Sequence, residues 1–249
     1  MKILLYDIET TPILGYTWSA YDTEILEVVE HPYILCFGYK WLGERGTKIV
    51  SLPDFKLYKK EPRNDYELAR VLRDLIDESD IIVGHNSERF DNKWVNKRIV
   101  YHGLPPASPY RSIDTLQIAK RYFRFDRNRL DALGQYLGVG RKESHHGFKT
   151  WLDCMNGDEK AWREMTRYNK KDVELLERVY LKLRPYYLTH PNINVLDENI
   201  NACPKCGSMD IVKRGFAFTS VSKKQRYRCK NCGGWSTGGL QKVEGMTIR

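Results

Sequence analysis

The sequence predicts an α/β fold, a mixed sheet flanked by helices, followed by a small C-terminal module that a metal holds together. Three observations carry this. Apolar strand-like runs come first and then alternate with helical periodicities, the order expected of a sheet with helical cover. Two Cys-x-x-Cys-Gly turns lie beyond the last long helical stretch. Acidic residues stand just past the predicted strands, at the carboxyl ends where such sheets place their ligand sites.

The elements follow in order. Residues 2–8 read as a buried strand ending in an acidic pair. Pro32 to Leu42 and Thr47 to Leu52 read as a hairpin turning near Gly43-Glu44-Arg45-Gly46. Residues 53–63 read as a charged loop. Asn64-Asp65-Tyr66-Glu67 opens a helix with N-cap chemistry, and Leu68, Val71, Leu72, Leu75 and Ile76 recur at helical spacing. Asp80 to Gly84 is a short buried strand, and a helix from Asp91 to His102 is stopped by Gly103 and Pro105. Ser112 to Thr115 ends a strand that runs into a helix with Leu116, Ile118 and Ala119. Leu130 to Tyr136 is a short helix, and a long one spans about Asp158 to Tyr186. The expected division is a main domain over 1–186, a linker over 187–201, and the metal-bound module over 202–249.

At 249 residues the chain can bury one substantial core with a small appendage. Hydrophobic content of 41% with 29% charged residues is an ordinary globular composition. The opening apolar run is too short for a signal peptide, and no stretch reaches the roughly 20 apolar residues of a membrane span. A cytoplasmic protein with no membrane partner is expected. The net charge is +9, and from Val195 onward ten Lys and Arg face four Asp and Glu. That surplus suggests a polyanionic partner, because Lys and Arg release counterions from phosphates.

Asp7 and Glu9 are two apart on a strand and so share one face. Asp91 follows the strand 80–84 at the start of a helix; taken alone it also suits the helix N-terminus. Tyr168 and Asp172 are four apart on a helix and share a face. Each piece has a bland reading, since Asp-x-Glu arises by chance and an aromatic beside a solvated Asp is common. Together they describe a set of carboxylates, and buried like charges need a compensating cation. Hard divalent ions take such oxygen ligands and leave room for water and phosphate.

These motifs, Asp7-x-Glu9, Asn86-x-x-x-Phe90-Asp91 and Tyr168-x-x-x-Asp172, resemble those of the DEDD exonucleases, the DnaQ-like branch of the ribonuclease H-like fold. Arg167 stands where the histidine form of the third motif has its histidine, so the chain resembles the tyrosine subclass, similar to the proofreading domains of family B DNA polymerases. The resemblance covers about residues 1–186. It implies 3′-to-5′ removal of nucleoside 5′-monophosphates with two Mg²⁺ or Mn²⁺ ions. Asp7 would bridge both ions, Glu9 and Asp172 would hold one with Tyr168 orienting the water, and Asp91 would serve the other. Thr10, Asn86 and Phe90 would contact the substrate. Asp114 is expected to be structural. No room remains in these residues for a polymerase domain, so the nuclease would act alone or be recruited by a replication or repair protein.

The stretch from Lys120 to Arg129 interleaves cations with rings, which suits a single strand but equally suits a helix with buried aromatics. Arg124 is its expected contact, and Arg141, Lys142 and Lys149 would extend the groove. His145 and His146 are given no role. Cys203, Cys206, Cys229 and Cys232 have the spacing of a four-thiolate structural Zn²⁺ site. With strands over Asp210–Lys213 and Arg226–Arg228, they resemble a zinc ribbon that metal binding would fold. Lys224, Arg226 and Arg228 would then grip a strand; a purely structural or protein-docking ribbon is the alternative. Cys36 is expected in the core. The expectation is a single-stranded DNA 3′-to-5′ exonuclease. An RNA 3′-exonuclease, a structure-specific endonuclease on the same core and an inactive nucleic-acid-binding adaptor are the alternatives.

Overall fold

In a computed structural model the described residues are 1–21, 24–142, 147–196, 201–219 and 222–242. His145 and His146 lie outside them. The central sheet has five strands, β1 (Ile3–Thr10), β4 (Ile34–Trp41), β5 (Lys48–Ser51), β6 (Ile81–Gly84) and β7 (Arg111–Asp114), in the order β5-β4-β1-β6-β7. β4 is antiparallel to both β1 and β5, whereas β6 runs parallel to β1 and β7 parallel to β6, so the sheet is mixed as expected. Parallel pairs need long crossovers. Here these are α1 (Tyr66–Asp77) before β6 and α2 (Asp91–Tyr101) before β7.

The two faces of the sheet bury separate clusters. Leu4, Tyr6 and Ile8 of β1 point to one face, with Leu68, Leu72 and Ile76 of α1 and Val95 and Ile99 of α2. Ile3 and Leu5 point to the other, with α3 (Thr115–Tyr122), α4 (Leu130–Tyr136) and the second half of α6 (Glu159–Leu183). The first half of α6 joins the first cluster through Ala161, Trp162 and Met165, with α5 (Phe148–Met155) beside it. α6 thus passes from one cluster to the other, and its middle meets the sheet near β1 and β4. Cys36 is fully buried in β4.

Several local readings change. Asp65 is not a side-chain cap for α1: Asn64 accepts from the Tyr66 N–H instead, at 3.0 Å. The Asp65 carboxylate is fully buried and accepts from Ile34 N–H (2.9 Å), Arg98 Nε (2.8 Å) and His102 Nε2 (2.7 Å). It ties β4, α1 and α2 together. The loop over 53–63 contains two 3-10 turns, Leu52–Asp54 and Lys56–Lys59. A hairpin of β2 (Leu14–Tyr16) and β3 (Glu27–Glu30) and the helix α5 have no counterpart in the sequence reading. Among the described residues no helix is long and apolar enough to cross a membrane.

The C-terminal residues form a three-stranded antiparallel sheet, β8 (Ile211–Phe218), β9 (Ser222–Cys229) and β10 (Trp235–Lys242), in the order β10-β9-β8. It leans on the end of α6: Lys205 Nζ donates to Pro185 O, and Ile193 N–H to Pro204 O at 2.9 Å. Tyr187 and Ile193, from the stretch read as a linker, pack against the second core cluster.

Candidate active site and metal centres

On β1 the residues facing α6 run Ile3, Leu5, Asp7, Glu9. The strand is apolar where it crosses the core and turns acidic at its carboxyl end, on the same face. α6 brings Asp172 to the same place, and one carboxylate oxygen from each of Asp7, Glu9 and Asp172 lies within 4.8 Å of the others. Asp7 and Glu9 are half-buried, Asp172 almost fully so. Asp91, at the start of α2, lies beside this triad but outside that set; its Oδ1 accepts from Ile8 N–H at 3.1 Å.

The close approach of α6 has a visible cause. Gly38 of β4 sits opposite Asp7 in the sheet register. A Cβ there would stand 2.9 Å from both Asn169 Oδ1 and Val173 Cγ2. The bare backbone lets the helix seat against the strand. Asn169 then donates through Nδ2 to Asp7 Oδ2 at 2.8 Å, fixing that carboxylate. Trp151 of α5 hydrogen-bonds Glu9 and sets its ring edgewise to Tyr168, 6.2 Å between centroids. Asn169, Trp151 and Gly38 were absent from the sequence reading. Only the proximity of Asn169 to Tyr168 could have signalled any of them.

Lys142 departs most from expectation. It lines the cleft beside Tyr168, but its ammonium also points into the acidic cluster, bonding Asp172 Oδ2 and donating to the Tyr168 hydroxyl at 3.0 Å. Burial, followed by the Asp172 charge, raises Glu9 from 4.5 to about 8. Burial chiefly raises Asp91 to about 7, and burial, then Asp91 and Glu9, push Asp7 well above the carboxylate range. Burial works against the Lys142 ammonium, but Asp172 and Asp7 outweigh it and raise its pKa. Hard oxygen donors packed this tightly around a side-chain cation are a fit for divalent metal.

A cleft of about 860 Å³ opens beside Tyr168, lined among others by Asn86, Lys120, Arg129 and Lys142. Asn86 has φ of 65° there and gives its N–H to Asp114 Oδ1 at 2.8 Å. Asp114 also accepts from Leu116 and Glu88 N–H, a structural post for this turn. Arg124 is exposed and does not line the cleft. The rings beside it are engaged with protein: Phe123 stacks on Phe125 at 5.0 Å, and the pair meets Tyr186 and Tyr136. Lys149 is drawn to Asp153 at 3.0 Å. Thr10 ends β1 just after a register shift, and Phe90 is 40% exposed at the head of α2.

The four C-terminal cysteines converge. Their sulfurs lie within 4.8 Å of one another, with 3.8 Å from Cys203 to Cys232 and 3.6 Å from Cys206 to Cys229. A tetrahedron of Zn–S bonds of ~2.3 Å spaces its sulfurs about 3.8 Å apart, so the cluster fits zinc. Gly207 (φ 74°) and Gly233 (φ 77°) close the two turns. Burial opposes ionisation of Cys229, but the Cys232 amide, the Cys206 thiol and the Asn231 amide hold it down at about 7.

The family model for the RNase_H superfamily matches residues 4–184. Among solved structures, the family B DNA polymerase from the hyperthermophilic archaeon Pyrobaculum calidifontis is similar at a TM-score of 0.53 and 14% identity. The match covers 88% of this chain and 31% of the polymerase, so the chain spans about a third of that protein's length. No curated protein matches.

Proposed function

The chain belongs to the RNase_H superfamily, and from that premise we propose a metal-dependent 3′-to-5′ exonuclease of the tyrosine DEDD subclass, releasing nucleoside 5′-monophosphates with single-stranded DNA favoured. The observation that carries the reading is the triad of Asp7, Glu9 and Asp172 within 4.8 Å at the carboxyl end of β1, beside Tyr168. Asp7, Glu9, Asp91 and Asp172 would hold two Mg²⁺ or Mn²⁺ ions. Such ions supply charge stabilisation at the phosphoryl oxygens and a water acidic enough to attack at neutral pH.

The remaining roles belong to the chain. The Tyr168 hydroxyl orients the attacking water. Asn169 locks the Asp7 carboxylate in place, and Trp151 does the same for Glu9. Lys142 balances the cluster's negative charge while the acids are without ions. Asn86, Lys120 and Arg129 line the cleft through which the strand enters, the cations meeting its phosphates. Thr10 and Phe90 meet the terminal nucleotide. The four cysteines hold one structural Zn²⁺ in a zinc ribbon over 202–249, joined through 187–201 to a nuclease domain over 1–186.

A time course on 5′-labelled single-stranded DNA and RNA of one sequence tests this. With Mg²⁺, a ladder shortening from the 3′ end is expected on DNA, and none with chelator. Asp7→Ala should abolish the ladder and keep binding. Tyr168→Phe should slow cleavage on the order of 10²-fold, because a water-orienting contact acts in the transition state. Internal cuts, or turnover unaltered in Asp7→Ala, would overturn the assignment; a ladder on RNA alone would reassign the substrate.

A further inference from the structure

We infer that the seam between the C-terminal sheet and the end of α6 is a second strand-binding site, in which a base of single-stranded nucleic acid stacks on Trp235. A cleft of about 610 Å³ lies at this seam. The sheet contributes Arg226, Trp235 and Thr237, and the core side contributes Leu188 and His190. Its size is that of a small-ligand pocket. Trp235 is 46% exposed and Leu188 75% exposed, so the cleft offers two uncovered apolar surfaces. The Arg226 guanidinium stands 5.8 Å from the centre of the Trp235 ring.

The charge around the cleft selects the occupant. Lys224, Arg226 and Arg228 alternate along β9 and so share a face. Register sets Trp235 opposite Arg228 and Thr237 opposite Arg226, which places all five on that face. Arg226 and Arg228 are exposed, and none of the three cations has a carboxylate partner among the described residues. An aromatic ring flanked by a row of free cations is the pattern that stacks bases and tracks phosphates. The cleft is also preformed. Lys205 is nearly buried and committed to Pro185 O, fastening the sheet to the core, and His190 is held by the Tyr180 hydroxyl at 2.8 Å. Burial lowers His190 to about 4, so it stands neutral as part of the apolar lining. From Asp172 to Pro185 along α6 is roughly 20 Å, so one strand held here could extend to the acidic triad. The inference extends the nuclease reading, but binding is read without turnover, so the two fail separately.

The test uses the zinc-loaded full chain and a labelled twenty-residue oligothymidylate, with Mg²⁺ omitted, followed by fluorescence anisotropy across a salt series. Trp235→Ala should weaken binding on the order of tenfold with the salt slope unchanged, and Trp235→Phe should restore most of it. Arg228→Ala should make the slope shallower by about 0.7. Thr237→Glu, at an exposed position, should weaken binding on the order of fivefold by setting a carboxylate against phosphate. Bound zinc is measured for each variant, and if Trp235→Ala loses its metal then Thr237→Glu decides. Binding within twofold of the unaltered chain in Thr237→Glu, or in a zinc-loaded Trp235→Ala, would overturn the site.

Discussion

At the scale of single residues, the acidic cluster is a place where folding brings like charges together. Glu9 titrates near 4.5 in an unfolded chain and at about 8 in the folded one. Between those values the folded state keeps a proton that the unfolded state has released. Stability contributed by this group is therefore present at low pH and lost as pH rises through that window. Lys142 stays charged throughout it in both states, so it adds no slope. Without divalent ions but with the cysteine metal retained, the melting temperature should fall as pH is raised from about 5 to 8. Glu9→Gln should flatten the fall, and Mg²⁺ added at pH 8 should reverse it; an equally steep profile in Glu9→Gln would refute the account. The alternation of β1 made Asp7 and Glu9 legible, because period two carries a face from apolar to acidic without changing sides. Lys142 was not legible as their neighbour. A lysine in a polar stretch reads as a surface cation, and only the packing of α4 and α6 turns it inward.

At the scale of elements, the site depends on how closely α6 approaches the sheet. Gly38→Ala would force Asn169 and Val173 outward, since a Cβ there meets both at 2.9 Å. Tyr168 and Asp172 ride on the same helix. A displacement approaching 1 Å can cost on the order of 10²-fold in rate, so Gly38→Ala should lower kcat far more than it lowers substrate affinity. Equal loss in both would point to general unfolding. Asp65 makes a second element-scale prediction. A capping role would cost only ~1 kcal/mol on replacement by Ala. As the buried partner of Arg98, its loss leaves an uncompensated charge and should cost about 3–5 kcal/mol in denaturant unfolding. The sequence carried the long periodic elements, α1 and α6, and the buried strands. It did not carry β2, β3 or α5. Ile13, Leu14, Tyr16, Val28 and Val29 are largely exposed, so that hairpin has no buried face to impose a pattern.

At the scale of the whole molecule, two parts of the chain stabilise themselves by different means. The five-stranded sheet has an apolar cluster on each face and holds together by burial. Among the described residues the C-terminal sheet joins neither cluster, and the buried residues at its base include Cys203 and Cys229. Four sulfurs spaced for zinc stand where a core would otherwise be, and in such a module metal affinity is folding free energy. Removing the cysteine-bound metal should therefore melt β8, β9 and β10 while leaving the helices intact. The described bonds between the parts join the cysteine turn to the end of α6 and the stretch after it, outside the buried residues of both core clusters, so the core transition should move by only a few degrees. Far-ultraviolet dichroism at 222 nm, followed during chelation, should hold nearly constant while amide exchange over 211–242 accelerates to the rate of an unfolded chain. Cys206→Ser should reproduce that pattern without chelator. A collapse of the helical signal in either experiment would mean that the core leans on the cysteine module for its own stability, and the division of labour drawn here would be wrong.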